Sequence, residues 1–136
     1  MPVPIPTSHI DLLEGPVFVA LVTVMPNGTP QVTPVWANTD GTHVLVNSAR
    51  GRQKDKNMRA NPKVAILAID PKNGYRWIEI RGTVTEITEE GGVDHINALS
   101  KLYRGDEDYY GANSELRSQE TRVKYKITPE HINKGG

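Results

Sequence analysis

The sequence predicts a mainly β fold, an antiparallel barrel that is closed or nearly so, with short helices over its openings. Three observations carry that expectation. Six apolar or alternating runs rich in β-branched residues succeed one another, at Pro16–Met25, Gln31–Ala37, Thr42–Asn47, Val64–Ile69, Tyr75 to about Ile87, and Thr121–Ile127. Turn clusters separate several of them: Pro26-Asn27-Gly28-Thr29, Asn38-Thr39-Asp40-Gly41 and Pro71-Lys72-Asn73-Gly74. Long helical periodicity is confined to Glu89–Tyr103, where Val93, Ile96, Ala98, Leu99 and Leu102 supply an apolar stripe.

The remaining elements follow from local chemistry. Residues 1–6 contain three prolines and predict an extended arm on a single domain of 136 residues. Thr7 or Ser8 is placed to cap a short helix ending at Leu13, with Gly15 as its stop. Gly82 falls inside the longest strand and predicts a bulge or bend. Gly105–Asn113 reads as a polar loop carrying Tyr109 and Tyr110, and Ser114–Glu120 as a helical turn. Thr128-Pro129 opens a short tail.

Composition narrows the function. Lysines plus arginines number 16 and aspartates plus glutamates 16, so the net charge is zero and a surface that coats nucleic acid is not expected. Without cysteine, disulfides, thiol catalysis and cysteine-ligated metal are excluded. His9, His43, His95 and His131 show no metal-ligand spacing. Val17–Met25 is about half the length of a membrane helix, and the first residues lack the pattern of a signal peptide. A soluble, cytoplasmic protein with no membrane partner is the expectation.

The most informative segment is residues 47–63. It holds six basic residues (Arg50, Arg52, Lys54, Lys56, Arg59, Lys63) and one acid, Asp55, in a chain of zero net charge. It lies between two predicted strands and reads as a short basic helix. Such a run is ordinarily a solvated helix face. Here, however, Arg52, Lys54 and Lys56 crowd the start of the helix, where cations oppose the macrodipole unless an anion is present. Asn47 and Ser48 add small polar groups at the strand end, so the corner reads as an anion cradle suited to phosphate.

A second cluster is Thr33-Pro34-Val35-Trp36, where proline interrupts a strand and exposes backbone to which a planar ring could lie parallel. Trp36 taken alone reads as core. Glu79 and Arg81 alternate on one strand face and read as a structural ion pair. No acid–base pair, nucleophile elbow or Walker loop is present, and a reaction carried by a bound cofactor needs none.

Three segments together resemble a known family. They are Asn27-Gly28-x-Pro30-Gln31-Val32-Thr33-Pro34-Val35-Trp36, then Val46-Asn47-Ser48-Ala49-Arg50-Gly51-Arg52-x-Lys54-x-x-Asn57-x-Arg59-x-Asn61-Pro62-x-Val64-Ala65, and Trp77-Ile78-Glu79-Ile80-Arg81-Gly82. The chain resembles the pyridoxamine-phosphate-oxidase-like split-barrel proteins, most closely the deazaflavin branch that uses coenzyme F420, and chiefly over Leu12–Val84. The resemblance implies a six-stranded antiparallel split β-barrel with a few short flanking helices, assembled as a homodimer with sites at the interface. It implies that Arg52 and Lys54 hold the cofactor phosphate, with Asn47, Ser48 and Gln53 assisting and Asn57 bracing the loop. Thr33, Pro34, Val35 and Trp36 would line the ring, and Trp77 of the partner subunit would complete the site. Lys56 and Arg59 would meet the anionic lactyl-oligoglutamate tail, which FMN lacks.

The implied reaction is hydride transfer to a small conjugated electrophile, a positioning task at about 3–3.5 Å. The Arg/Trp-rich closing segment of vitamin B6 oxidases is absent from Lys124–His131, so that reaction is not expected. Two alternatives stay open: an FMN-binding oxidase or reductase, and a non-enzymatic carrier of a flavin, haem or related ligand. A nucleic-acid module is disfavoured because no aromatic residue lies between Trp36 and Tyr75.

Overall fold

A computed structural model describes residues 2–136. Its elements are a 3₁₀ turn at Ile10–Leu13, then β1 (Val19–Val24), β2 (Pro30–Val35), β3 (Ala37–Thr39), β4 (Val44–Ala49), α1 (Gln53–Ala60), β5 (Lys63–Ile69), β6 (Trp77–Thr88), α2 (Gly92–Arg104), α3 (Ser114–Gln119) and β7 (Arg122–Gly135). The strands form one antiparallel sheet in the order β2-β1-β5-β6-β7-β4-β3. Seven strands replace the six expected because Gln31–Ala37 breaks at Trp36. Its first half pairs with β1 at one edge of the sheet and its second half with β4 at the other. A single residue joins the two edges, so the sheet has to curl until they meet. That curling makes a split barrel.

The break falls after Thr33-Pro34 rather than at it. Pro34 stays in the ladder opposite Ala20, which is permitted because β2 is an edge strand. Strand alternation fills the barrel: Val19 and Leu21, Val44 and Val46, and Ile78 and Ile80 are all nearly inaccessible and belong to one core. Met58 of α1 and Leu12 and Leu13 of the 3₁₀ turn join that core. The turn is capped differently from expectation, since His9 occupies the cap position and makes no side-chain cap bond. Its Nε2 instead pairs with the Gly135 carbonyl at 2.8 Å, and Ser8 Oγ bonds its Nδ1. The arm before it packs inward, with Ile5 buried and the Val3 amide donating to the Pro129 carbonyl.

Two further expectations are corrected. The expected tail is strand: β7 runs on past Pro129 and pairs with β6 as far as Trp77–Gly135. Proline is accommodated because the register shifts between Arg81 and Gly82, opposite it. That is also the bulge expected at Gly82. Helix α2 turns a different face inward, burying Gly92, His95, Ile96, Leu99 and Ser100, while Val93 and Leu102 of the expected stripe remain exposed. Among the described residues no helix is long and apolar enough to cross a membrane.

The Gly82 site is a sharp test of this packing. A Cβ built there would lie 2.2 Å from the Thr128 carbonyl oxygen, a backbone atom that cannot swing aside. Gly82→Ala is expected to cost about 1–3 kcal/mol, as overpacking typically does. Urea denaturation of the two proteins measures it, and equal midpoints would mean that the β6–β7 crossing is looser than described.

Candidate cofactor site

The basic corner is built by a buried carboxylate. Gly51 turns the chain with φ +92°, and α1 begins at Gln53 with Arg52 as its cap residue. Asp55, only 2% exposed, accepts the Gly51 amide at 2.9 Å, the Tyr125 hydroxyl at 2.5 Å and Arg59 Nε at 3.0 Å. Burial acts to raise its pKa, but those three donors outweigh it and hold the carboxyl below the ordinary range. Burial, and then the Asp55 bond, push the Tyr125 phenol up. Asn57, 1% exposed, ties the other side of α1 to β1 by donating to Thr23 Oγ1 at 3.0 Å, and accepts from Gln53 Nε2 at 2.7 Å. The corner is therefore rigid.

One cavity of about 200 Å³ lies against it, lined by Phe18, Pro34, Val35, Trp36, Asn47, Arg52 and Lys54, with Ile96, Leu99, Tyr109 and Arg122 completing its wall. Residues from both sequence clusters thus meet in one place. Arg52, Lys54 and Arg122 are its cations. Lys54 is half-buried with no ion-pair partner among the described residues. Burial and then the charges of Arg52 and Arg122 hold its pKa below the ordinary lysine value. Arg52 and Arg122 share one carboxylate, Glu120, at 2.8 and 3.1 Å. A site that crowds three cations and borrows one of the chain's own carboxylates suits an anionic ligand, and phosphate matches these donors.

The opposite wall is aromatic. Trp36 stacks on Tyr103 at a centroid distance of 5.2 Å and meets the edge of Tyr109 at 6.0 Å. Tyr109 in turn lies beneath both Arg104 and Arg122, at 5.0 and 5.1 Å. Beside this wall runs a buried polar chain. His95 Nε2 bonds Asn38 Oδ1 at 2.9 Å and its Nδ1 accepts from Asn47 at 3.1 Å, while Asn47 Oδ1 accepts from Arg122 Nε at 2.9 Å. With Nδ1 accepting, the imidazole is the neutral Nε2–H form. Burial, then Lys124 and Arg122, lower its pKa to about 4.

Other expected site residues lie elsewhere. Ser48 shares the inward face of β4 with Val44 and Val46. Its hydroxyl is fully buried without a partner and does not line the cavity. Thr33 sits beside it on the outer surface, in a shallow groove with Phe18, Val32 and Pro34. Lys56 is exposed, and Arg59 is engaged with Asp55. Trp77 opens β6 between Ile69 and Gly135 and is not brought to the cavity within one chain. Arg122, Glu120 and Tyr109 were missed because β7 meets β4 only through long-range pairing, Ala49 opposite Arg122. The acid and base at Glu120 and Arg122, one residue apart at a strand start, were the available signal. Arg81 and Glu79 form the structural ion pair expected of them, at 3.0 Å.

The curled antiparallel sheet with a basic strand-to-helix corner defines a split barrel. The sequence model of the pyridoxamine 5′-phosphate oxidase family matches residues 5–134, and the chain belongs to that family. Among solved structures it is similar to one described as F420 reductase, with 34% identity, a TM-score of 0.82, and coverage of 95% of this chain and 98% of that one. A conserved hypothetical protein from Mycobacterium tuberculosis is 21% identical with a TM-score of 0.75, covering 98% of this chain and 86% of that one. A putative pyridoxamine 5′-phosphate oxidase from Lactobacillus delbrueckii is 17% identical, TM-score 0.67, covering 96% and 93%, and these last two show likeness of fold. No curated protein matches the chain in sequence.

The buried histidine gives a pH signature. Its folded pKa, about 4, lies below the ordinary 6.5, so the unfolded chain binds the extra proton first as pH falls. The stability His95 confers is full above pH 6.5 and is lost progressively towards pH 4. Thermal midpoints should fall from pH 7 to pH 5 in the wild type and much less in His95→Gln. Parallel curves for the two would mean the imidazole titrates normally.

Proposed function

We propose that this chain is an oxidoreductase that binds coenzyme F420, with FMN as the alternative, and delivers hydride to a small conjugated electrophile. The observation that carries this reading is the convergence of Arg52, Lys54 and Arg122 on the same cavity as the Pro34–Trp36 backbone. The likeness to the structure described as F420 reductase supports the deazaflavin over FMN. Membership of the pyridoxamine 5′-phosphate oxidase family keeps FMN as the second reading.

In this reading the phosphate lies between Arg52, Lys54 and Arg122, and the ring lies along Pro34, Val35 and Trp36. The bound ring supplies the hydride. The protein's part is position and electrostatics, consistent with a cavity whose polar groups are cations and amides and which has no carboxylate–histidine pair. Asp55 and Asn57 fix the corner, and Tyr103 and Arg104 hold the aromatic wall against the seam. Lys56 and Arg59 lie outside the cavity on α1, where an extended anionic tail would pass.

A cavity of about 200 Å³ is too small to enclose such a ring, since ligand sites usually span about 300–1,000 Å³. It borders an exposed apolar surface: Phe18 is 69% accessible and Val32 64%. This supports a homodimer in which the second protomer covers that surface and Trp77 of the partner subunit closes the site.

Two experiments test the proposal. Arg52→Ala and Lys54→Ala should each weaken cofactor binding by on the order of 1.5–3 kcal/mol in fluorescence titrations with coenzyme F420 and with FMN. Wild-type preference for the deazaflavin by about tenfold, or ~1.4 kcal/mol, supports the first reading, and preference for FMN the second. Phe18→Glu should run as a monomer in sedimentation velocity while the wild type runs as a dimer. A monomeric wild type would remove the shared site.

A further inference from the structure

We infer that Lys54 is a carbonyl-reactive amine, and that the cavity takes a second class of ligand, a small phosphomonoester bearing an aldehyde, captured as an imine on Lys54. Lys54 stands in the first turn of α1, half-buried, and lines the cavity together with Arg52 and Arg122. Among the described residues no carboxylate pairs with it, whereas Arg52 and Arg122 both hold Glu120, at 2.8 and 3.1 Å. Lys56, one place further along the basic run, is exposed and outside the cavity. Everything around the Lys54 amine opposes its charged form. Burial acts first and the charges of Arg52 and Arg122 next, and the positive end of the α1 dipole works in the same direction. Its pKa is lowered accordingly, so a larger share of it is free amine at neutral pH than for a solvated lysine. A lysine partly withdrawn from water beside other cations is the environment in which amines attack carbonyls.

The same surroundings select the carbonyl compound. Arg52, Lys54 and Arg122 against the single Glu120 carboxylate leave two positive charges. A phosphomonoester carries about −1.5 to −2 at neutral pH and matches them. Each guanidinium offers five N–H donors, so Arg52 and Arg122 can keep Glu120 and still present N–H groups to a phosphate. With the phosphate held there, an aldehyde in the same small molecule is confined beside Lys54, and the addition becomes effectively intramolecular. The amine nitrogen bonds to the carbonyl carbon, and the resulting carbinolamine loses its oxygen as water. Counted from the ammonium, ammonium plus aldehyde gives iminium plus water, with no net change in protons or electrons. The iminium keeps the positive charge of Lys54, so the match to the phosphate survives the reaction. The cavity of about 200 Å³, too small to enclose a flavin ring, is of a size for a triose phosphate. A cofactor phosphate would use the same cations, so the aldehyde acts as a reversible block on the proposed cofactor.

Glyceraldehyde 3-phosphate is the probe. The full chain is incubated with it at neutral pH together with cyanoborohydride, which reduces iminium ions to stable secondary amines, and the modified lysines are located by peptide mapping. Lys54 should be labelled at least about tenfold faster than Lys56, and glyceraldehyde without its phosphate should label Lys54 about tenfold more slowly, because the charged hydrogen bonds to the phosphate are lost. Glycerol 3-phosphate, which has the phosphate but no carbonyl, should protect Lys54. Lys54→Arg should lose this labelling and keep the background at Lys56, and if that variant fails to fold the wild-type map decides alone. Equal labelling of Lys54 and Lys56 overturns the reactivity of Lys54. Equal labelling of Lys54 by the two aldehydes, or no protection by glycerol 3-phosphate, overturns the phosphate-directed capture. None of these readouts requires a flavin to bind, so failure here is distinct from failure of the cofactor reading, which the titrations with coenzyme F420 and FMN decide.

Discussion

The crossing at Trp36 is the constraint on which the rest of the structure depends. Val35 belongs to one edge of the seven-stranded sheet and Ala37 to the other, so the edges can be no farther apart than one residue allows. Leaving a sheet for a single residue strands backbone groups that a ladder would have paired. The Tyr103 hydroxyl takes over, accepting the Ala37 amide at 3.0 Å and donating to the Val17 carbonyl at 2.6 Å. That bond fixes the end of α2 against the seam and brings Arg104 and Tyr109 to Trp36. The cavity sits where the barrel is split, and its lining follows from the crossing.

Charge is organised around the same place. Four carboxylates offset the basic corner: Glu89 and Glu130 pair with Arg50 and Lys63 at its two ends, while Asp55 and Glu120 act nearer the cavity. Asp55 is buried beneath the corner and neutralises it from inside through Arg59 and the Gly51 amide. Glu120 pairs with both Arg52 and Arg122. The cations still outnumber the anions, and Lys54, whose pKa is lowered by burial and then by Arg52 and Arg122, has no carboxylate partner among the described residues. From Arg122 the hydrogen bonds continue through Asn47 and His95 to Asn38 on β3, so the anion corner is braced against the far edge of the sheet. A buried network of this kind is rigid when every member is paired, and here its histidine is kept neutral.

What was legible in the sequence is what local chemistry determines. Alternation marked the strands, glycine marked the β6 bulge, and the excess of lysine and arginine marked α1 and the corner that opens it. What was not legible depends on which strand lies beside which. Nothing in Gln31–Ala37 itself says that its two halves pair with different partners. Pro129 looks like a terminator until Gly82 is seen opposite it, giving the crossing chain room. The face of α2 was misjudged because hydrophobicity alone was counted: His95 and Ser100 are buried in place of Val93 and Leu102, and for His95 the partners come from β3 and β4. Ser48 and Asn47 are neighbours in sequence, yet the pleat sends one into the barrel and the other to the cavity.

The absence of a proton-transfer pair among the cavity residues and the openness of the cavity have a common reading. A site whose chemistry resides in a bound ring needs a wall to hold the ring, an anchor for its phosphate and access for a second molecule to the exposed ring face. In the proposed reading one chain would supply the wall at Pro34–Trp36 and the anchor at Arg52, Lys54 and Arg122. The open side, next to Phe18 and Val32, is apolar where a monomer would ordinarily be polar, and an exposed apolar patch beside a ligand cleft marks a contact surface. Dimerisation over that patch would enclose the ring without closing the route to it along the seam. On this argument the assembly and the chemistry stand on the same few residues, and Phe18 belongs to both.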